Sequence, residues 1–463
     1  MVKLEATKEH DDGRDVIVTV APALPVQEHR LPLSNLDLLL PPLDVSLFFC
    51  YLHPAPTAAA LKEALAKTLV AYYPLAGEVV ANGDREPELL CSGRGVDFTE
   101  TTAAGGAELR QIRLGAVDEG VEKLMPAKKA GVMAVKVCMM IDGLVVKLRL
   151  TKFRCGGAVV GCTFDHRVCD AYSFNMFLVA WAATARDSSA SPPAPSFRRS
   201  LVAPRDPPQQ RAPSTDALID RLFSPRSAAP PPAATGRSVN RIYRIAAADI
   251  AALKASAGPG HTKLEAFTAH LWQLCARAAA ASAHQISQCC MGVVVDGRTR
   301  MFPDGAMKAY FGNVLTIPYG VMGSEDLRRM ALADVAGDVH RWVAEAATGD
   351  HFRGLVDWVE ALRPKPAAAR AYLGGTGGNE AMSCIVSSGM TFPVGKADFG
   401  TGLPAFASYH FPWPAGAGYV MPMPSARGDG DWVVYVHVAP EVAKVMEEES
   451  TVFQALENSY VFE

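Results

Sequence analysis

Between Asp187 and Gly236 the chain changes character. This stretch is rich in Ser, Ala, Pro and Arg and includes Ser191-Pro192-Pro193-Ala194-Pro195 and Pro230-Pro231-Pro232. Proline fixes its own φ and offers no amide donor, so neither helical nor strand periodicity survives, and the stretch reads as a long connection. It divides the 463 residues into two halves of similar size, each able to bury a core. The expected organisation is residues 1–186, a crossover at 187–238, and residues 239–463. No internal repeat relates the halves.

Both halves mix helix and strand patterns. Leu61, Leu65 and Leu69 recur at helical spacing, and Pro74 ends that helix. Val146, Leu148 and Leu150 alternate with Lys147, Arg149 and Thr151, the pattern of a half-buried strand. After the Gly156-Gly157 turn, the apolar run Ala158–Phe164 reads as a buried strand. It is followed by a helix whose inner face carries Phe174, Phe177, Leu178, Trp181 and Ala185. In the second half, residues 264–281 form a long apolar helix, and a buried strand precedes Asp296-Gly297-Arg298. Trp432–Val438 is a late strand, and Pro440 suits the first turn of a closing helix with the solvated end Glu447-Glu448-Glu449. The expected class is α/β or α+β in two domains.

Composition removes several function classes. A net charge of −3 argues against a broad electrostatic nucleic-acid binder. No apolar run reaches membrane-spanning length, and Met1–Asp15 lacks the apolar core of a secretory signal. Ten cysteines without a C-x-x-C pair point to reduced, buried thiols and a cytoplasmic protein.

His166 is the titratable group of most interest. It sits where the buried strand passes into the helix, and an imidazole there can take a proton from an alcohol or amine near neutral pH. It can equally be a packed, hydrogen-bonded histidine. Asp170 lies four residues on and reads either as an orienting carboxylate for the imidazole or as a helix cap or ion-pair partner holding the turn; the residues favour the structural role. Cys169 would be a nucleophile only if its thiol were activated, and apolar surroundings argue against that. No G-x-S-x-G elbow, H-E-x-x-H or Walker A loop occurs, so α/β-hydrolase, zinc and P-loop readings are weak. Asp398-Phe399-Gly400 copies a kinase metal motif, but the matching catalytic-loop fragments lie in the other half. The Asp398–Gly402 turn and Tyr310-Phe311-Gly312-Asn313 are Gly-bearing loops open to a ligand or simply tight. Arg198-Arg199 and Arg300 could meet phosphate or stay solvated.

Taken together, His166-x-x-x-Asp170, Asp398-Phe399-Gly400-x-Gly402, Tyr73-Pro74-Leu75-Ala76-Gly77, Val295-Asp296-Gly297-Arg298 and Tyr310-Phe311-Gly312-Asn313 resemble, in the same order, the motifs of the BAHD family of plant acyl-CoA-dependent acyltransferases. The resemblance spans essentially the whole chain. It implies two similar-sized domains with mixed sheets flanked by helices, joined by a long crossover, with a solvent channel between them. It implies His166 as general base, Asp170 as a structural or orienting residue paired with Arg298, and Asp398, Gly400 and Gly402 as structural support. Thr262 and Lys263 would meet CoA phosphate at a helix N-terminus. Residues 34–44, 164–183, 195–201 and 418–425 look like coniferyl alcohol acyltransferase-type members, which puts Ser34 on the acceptor side.

The implied reaction moves an acetyl or hydroxycinnamoyl group from acyl-CoA, as co-substrate, to the hydroxyl of a phenylpropanoid-type alcohol. The implied enzyme is a monomer with no metal, no permanently bound cofactor and no nucleic-acid or membrane partner. An amine acceptor (tyramine, agmatine or a polyamine) and a non-catalytic acyl-CoA-binding relative are the alternatives. Thr401 stands where the family often has Trp in the D-F-G-x-G loop, and Ala171 where Gly often follows the Asp. Ser387-Ser388-Gly389 lacks the Trp of shikimate-specific members, which argues against a shikimate acceptor.

Overall fold

A computed structural model describes residues 3–463 apart from 11–12, 53, 103–108, 140–155, 207–211, 226–237, 283–285, 374–380, 412–416 and 450. The strand expected around Val146–Leu150 lies outside the described residues.

Among the described residues the protein is a mixed α/β structure built on two seven-stranded sheets. The first runs, in spatial order, Lys3–His10, Gly13–Val20, Val96–Thr102, Met133–Met139, Ala158–Asp165, Asp44–Tyr51 and Phe406–His410. Only Val96–Thr102 and Met133–Met139 pair in parallel; the other neighbours are antiparallel. The second sheet runs Tyr319–Gly323, Gln288–Val293, Ala381–Val386, Gly418–Pro424, Trp432–Val438, Val239–Ile245 and Gln454–Ala455. Its parallel pairs are the two that flank Ala381–Val386.

Phe406–His410 belongs to the second half of the chain yet closes the first sheet. It pairs antiparallel with Asp44–Tyr51, from Phe406 opposite Cys50 to His410 opposite Ser46. This exchanged strand ties the halves by backbone hydrogen bonds. His410 then touches both sheets, its ring tilted 4.4 Å from the Tyr435 ring and 5.4 Å from the Phe48 ring.

The central strand Ala158–Asp165 is buried at every position, so it reads as a continuous apolar run rather than an alternation. Gly161 is required there: a Cβ would lie 2.3 Å from the Leu124 carbonyl oxygen. The helix Ala171–Arg186 follows, capped by Asp170, with Phe174, Phe177, Leu178 and Trp181 buried and Ala185 at the margin. Phe174 stacks on Phe164 at 4.0 Å, and the Trp181 indole donates to the Leu61 carbonyl on helix Ala58–Ala71. Leu61, Leu65 and Leu69 are fully buried along that helix.

The Pro-rich connection holds more structure than its composition suggests. Residues Pro213–Leu222 form a helix with Pro at its first turn, and Phe223–Pro225 pairs with Ala367–Ala369. Ile219 and Leu222 are buried, so two apolar residues one turn apart suffice to dock a short helix that proline starts rather than breaks. Among the described residues no helix is long and apolar enough to cross a membrane.

Candidate active site

Three ingredients meet between the halves: a strand-end histidine, a buried ion pair and a cavity. His166 ends the buried strand; its amide donates to the Leu43 carbonyl at 2.9 Å, and its carbonyl accepts from Asn313 Nδ2 at 2.9 Å. The backbone is thus fixed from both halves. The ring meets Phe411 edge-on at 5.5 Å and 90°. Nδ1 is buried and, among the described residues, has no hydrogen-bond partner of normal geometry, while the residue lines the cavity. Burial pushes the imidazole below its ordinary value of 6.5; the neighbouring backbone and the Asp170 and Asp165 charges offset part of that. The shift favours the neutral imidazole, the form that can accept a proton.

Asp170 does not bond His166. Its carboxylate accepts from the amides of Ser173 at 2.9 Å and Val314 at 3.2 Å. Arg298 completes it, with Nη1 at 2.8 Å and Nη2 at 3.0 Å, a bidentate pair only a few per cent exposed on either side. Arg298 also donates to Ser173 Oγ at 2.9 Å and the Gly312 carbonyl at 2.8 Å, and it lies 4.3 Å above the Tyr172 ring. Gly297 lets the helix Gly349–Leu362 pack close beside the arginine, because a Cβ there would meet the Phe352 ring at 2.5 Å. Asp170 therefore caps a helix and locks the two halves beside His166.

Arg298 is shared. Asp296 Oδ2 lies 2.5 Å from Nη1, and the Asp296 side chain is 40% exposed and lines the cavity. Burial raises its carboxyl above the usual range, with Arg298 opposing and Asp170 adding to the rise. One guanidinium facing two carboxylates leaves one negative charge unbalanced when both are ionised.

The cavity is about 870 Å³ and is lined from both halves and from Pro192–Ala194 of the crossover. Its walls are mostly apolar and carry Tyr72, Phe164, Tyr372, Phe392, Tyr409, Phe411 and Tyr419. Phe411 stacks on Tyr419 at 4.3 Å, and Tyr409 is anchored by its hydroxyl to Asn175 Oδ1 at 2.5 Å. Sequence reasoning passed over these aromatics. Their only local signal was the apolar character of Phe406–Phe411 and of 418–425; which strand lies beside His166 is decided by the exchanged pairing.

A second buried network was also missed. Asp37 accepts from Ser34 Oγ at 2.7 Å, the Asn313 amide at 2.7 Å and Asn313 Nδ2 at 2.9 Å. Arg199 reaches Asp37 at 3.6 Å and donates to Tyr310 Oη at 2.8 Å and the Phe311 carbonyl at 2.9 Å. Arg199 is thus neither a phosphate ligand nor a solvated surface charge; it pins the crossover to the Tyr310–Asn313 turn. Ser34 is a correction of the same kind. It is buried, its hydroxyl is spent on Asp37, and it is not on the cavity wall, so the geometry gives it no acceptor contact.

Asp398 shapes its own loop: Oδ1 accepts from Gly400 at 2.8 Å and Gly402 at 2.9 Å. Burial alone would raise its carboxyl, but these amides hold it below the usual range. Gly400 and Gly402 have φ of 97° and 106°, which a side chain rarely adopts. Phe399 packs edge-on against Trp181 at 4.8 Å and Tyr51 at 5.9 Å, so the loop braces the Asp170-capped helix from outside the cavity.

Thr262 and Lys263 are exposed and do not line the cavity. Thr262 caps helix Lys263–Ala281 in a reciprocal box with Glu265. That carboxylate occupies the helix terminus, and Lys263 is exposed beside it. Cys169 is fully buried and its thiol is driven well up, by burial first and by Asp170 next, which removes it as a nucleophile.

A family model described as the Transferase family matches residues 16–452. The shikimate O-hydroxycinnamoyltransferase of Nicotiana tabacum is 28% identical, over 92% of this chain and 96% of that protein. Putrescine hydroxycinnamoyltransferase 1 of Oryza sativa subsp. japonica is 31% identical, over 91% and 94%. Among solved structures, vinorine synthase matches with a TM-score of 0.68 at 20% identity, covering 98% of this chain and 99% of that one. An F. sporotrichioides protein complexed with coenzyme A and T-2 matches with a TM-score of 0.67 at 14% identity, over 91% and 98%. The chain belongs to this Transferase family, the BAHD acyltransferases, whose members transfer acyl groups other than aminoacyl groups.

Proposed function

We propose that the protein moves an aromatic acyl group, of the hydroxycinnamoyl type, from its CoA thioester to the hydroxyl of a small phenylpropanoid-type alcohol. The observation that carries this is His166: an imidazole that burial biases toward its neutral form, on the wall of an aromatic-lined cavity of about 870 Å³. That volume lies in the range of small-molecule sites. Tyr372, Tyr409, Phe411 and Tyr419 suit a planar ring better than a bare acetyl group.

In a ternary complex, His166 Nε2 takes the acceptor O–H proton as the oxygen attacks the thioester carbonyl carbon. The C–O bond forms, the carbonyl π pair moves to oxygen, and the tetrahedral oxyanion collapses. Collapse breaks the C–S bond, and the CoA thiolate takes the proton held by His166. No acyl-enzyme forms. Asp170, Arg298 and Asn313 hold His166 in place without touching the reacting atoms. Nine described cysteines, all free and buried, support a reducing, cytoplasmic setting.

Amine acceptors are the second reading, favoured by Asp296. Its half-exposed carboxylate in the cavity, with one guanidinium shared between two acids, suits the distal ammonium of a diamine. Relatives named for putrescine and tryptamine transfer support keeping it. The test is CoA release by the purified protein, crossing acetyl-, malonyl-, p-coumaroyl- and feruloyl-CoA with coniferyl alcohol, shikimate, tyramine and spermidine. The proposal expects p-coumaroyl or feruloyl ester on coniferyl alcohol. Turnover confined to amines would replace the acceptor, and turnover confined to acetyl-CoA would replace the donor.

A further inference from the structure

We propose that His261, Glu265 and His340 form a transition-metal site on the outer surface, between helix Lys263–Ala281 and helix Leu332–Ala346, that takes a borderline divalent ion such as Zn²⁺. One donor atom from each of the three residues lies within 4.8 Å of the others. The arrangement is partly assembled without an ion: His340 Nδ1 is 2.8 Å from Glu265 Oε1, and the His261 and His340 rings are 6.0 Å apart.

Two further features single out this cluster. His261 Nδ1 is buried without any hydrogen-bond partner, a polar atom for which the protein supplies nothing. Glu265 is held in one rotamer, because its other oxygen, Oε2, accepts from the Thr262 amide at 2.6 Å.

The donor set defines the ion. Two imidazoles and one carboxylate match zinc-type chemistry and not the all-oxygen shells of Mg²⁺ or Ca²⁺. Bonds of about 2.0–2.1 Å in a tetrahedral site put donors roughly 3.4 Å apart. The donors now lie up to 4.8 Å apart, so binding an ion draws them together, and the His340 side chain, 54% exposed, has room to turn. The positive end of the helix dipole opposes a cation, but its effect is small and confined to the first turn, and Glu265 sits on that turn. None of the three residues lines the acyl-transfer cavity. The ion would clamp the two helices and take no part in the chemistry at His166.

The experiment strips full-length protein with a chelator and titrates it with Zn²⁺ by calorimetry and with Co²⁺ by visible absorption. One equivalent of metal should bind. His340→Ala and His261→Ala should each weaken binding by at least about tenfold, since even the loss of groups that merely orient a ligand costs about 10–100-fold. Circular dichroism should show both variants folded, because His340 is exposed and His261 is only half-buried outside the core. Absence of saturable Zn²⁺ uptake at neutral pH would overturn the proposal. So would uptake undiminished in the double variant, which would put the metal on other groups.

Discussion

Removing the Asp170 carboxylate separates architecture from chemistry at this site. Asp170→Ala deletes four accepted hydrogen bonds, from the Ser173 and Val314 amides and from both Arg298 terminal nitrogens. Breaking a buried ion pair costs about 3–5 kcal/mol. Arg298 keeps Asp296, whose side chain is 40% exposed, so the low end applies, about 3 kcal/mol. The lost helix cap adds about 1 kcal/mol, for a total of about 4 kcal/mol. Asp170→Asn retains a capping oxygen and the volume, so it should lose only the ion-pair part, about 3 kcal/mol. Urea unfolding of both variants measures this, with CoA release normalised to folded protein measured alongside. The expected pattern is a graded loss of stability, with a smaller loss of rate per folded molecule than in His166→Ala. An Asp170→Asn protein as stable as the native one but slowed by two orders of magnitude or more would refute the reasoning and move Asp170 into the chemistry.

Further outcomes follow from the same geometry. Because burial lowers the His166 pKa below its ordinary 6.5, the base is mostly neutral at pH 7 and above, so the midpoint of the acid limb in kcat/KM should fall below 6.5; a midpoint at or above pH 7 would contradict it. His351 and His410 are buried neutral, held down to about 4 and about 3. The unfolded chain takes up protons near 6.5 and the folded one does not, so stability should drop as pH falls from 6.5 toward 4, by about 1.4 kcal/mol per pH unit for each imidazole. His410→Leu should flatten that slope in acid unfolding curves, and an unchanged slope would refute the assignment. The Thr401 hydroxyl is buried without a partner, so Thr401→Val should leave stability unchanged or raise it by up to about 1 kcal/mol in urea; a clear loss would mean that the hydroxyl is bonded. If amines are accepted, Asp296→Asn should raise their KM and spare that of neutral alcohols; equal effects on both would reduce Asp296 to support for Arg298.

The sequence showed what local chemistry controls. The apolar run Ala158–Phe164 had to be a buried strand, and the spacing of Phe174, Phe177 and Trp181 had to be a helix face, because burial on two sides and on one face leave different periods. His166 and Asp170 stand out because they occupy the junction of those elements. What could not be read is whatever depends on pairing across the chain. Tyr409 and Phe411 reach the cavity because Phe406–His410 joins a sheet whose partner strand begins at Asp44. Arg199 looked like a surface charge because nothing near it in sequence announces Asp37 or Tyr310 as partners. Ser34 fitted a motif but spends its hydroxyl on Asp37, three residues away. The Pro213 helix was hidden by composition, since proline marks a helix start as readily as a loop.

The account rests on His166 as the base in acyl transfer from CoA. The direct measurement is acceptor-dependent CoA release by His166→Ala beside the native enzyme, with circular dichroism of both. General-base catalysis supplies about 10²–10⁴-fold, so a folded variant slowed by at least that much is the predicted result. A folded His166→Ala enzyme that turns over at near-native rate would contradict it, and the base would have to be sought elsewhere on the cavity wall.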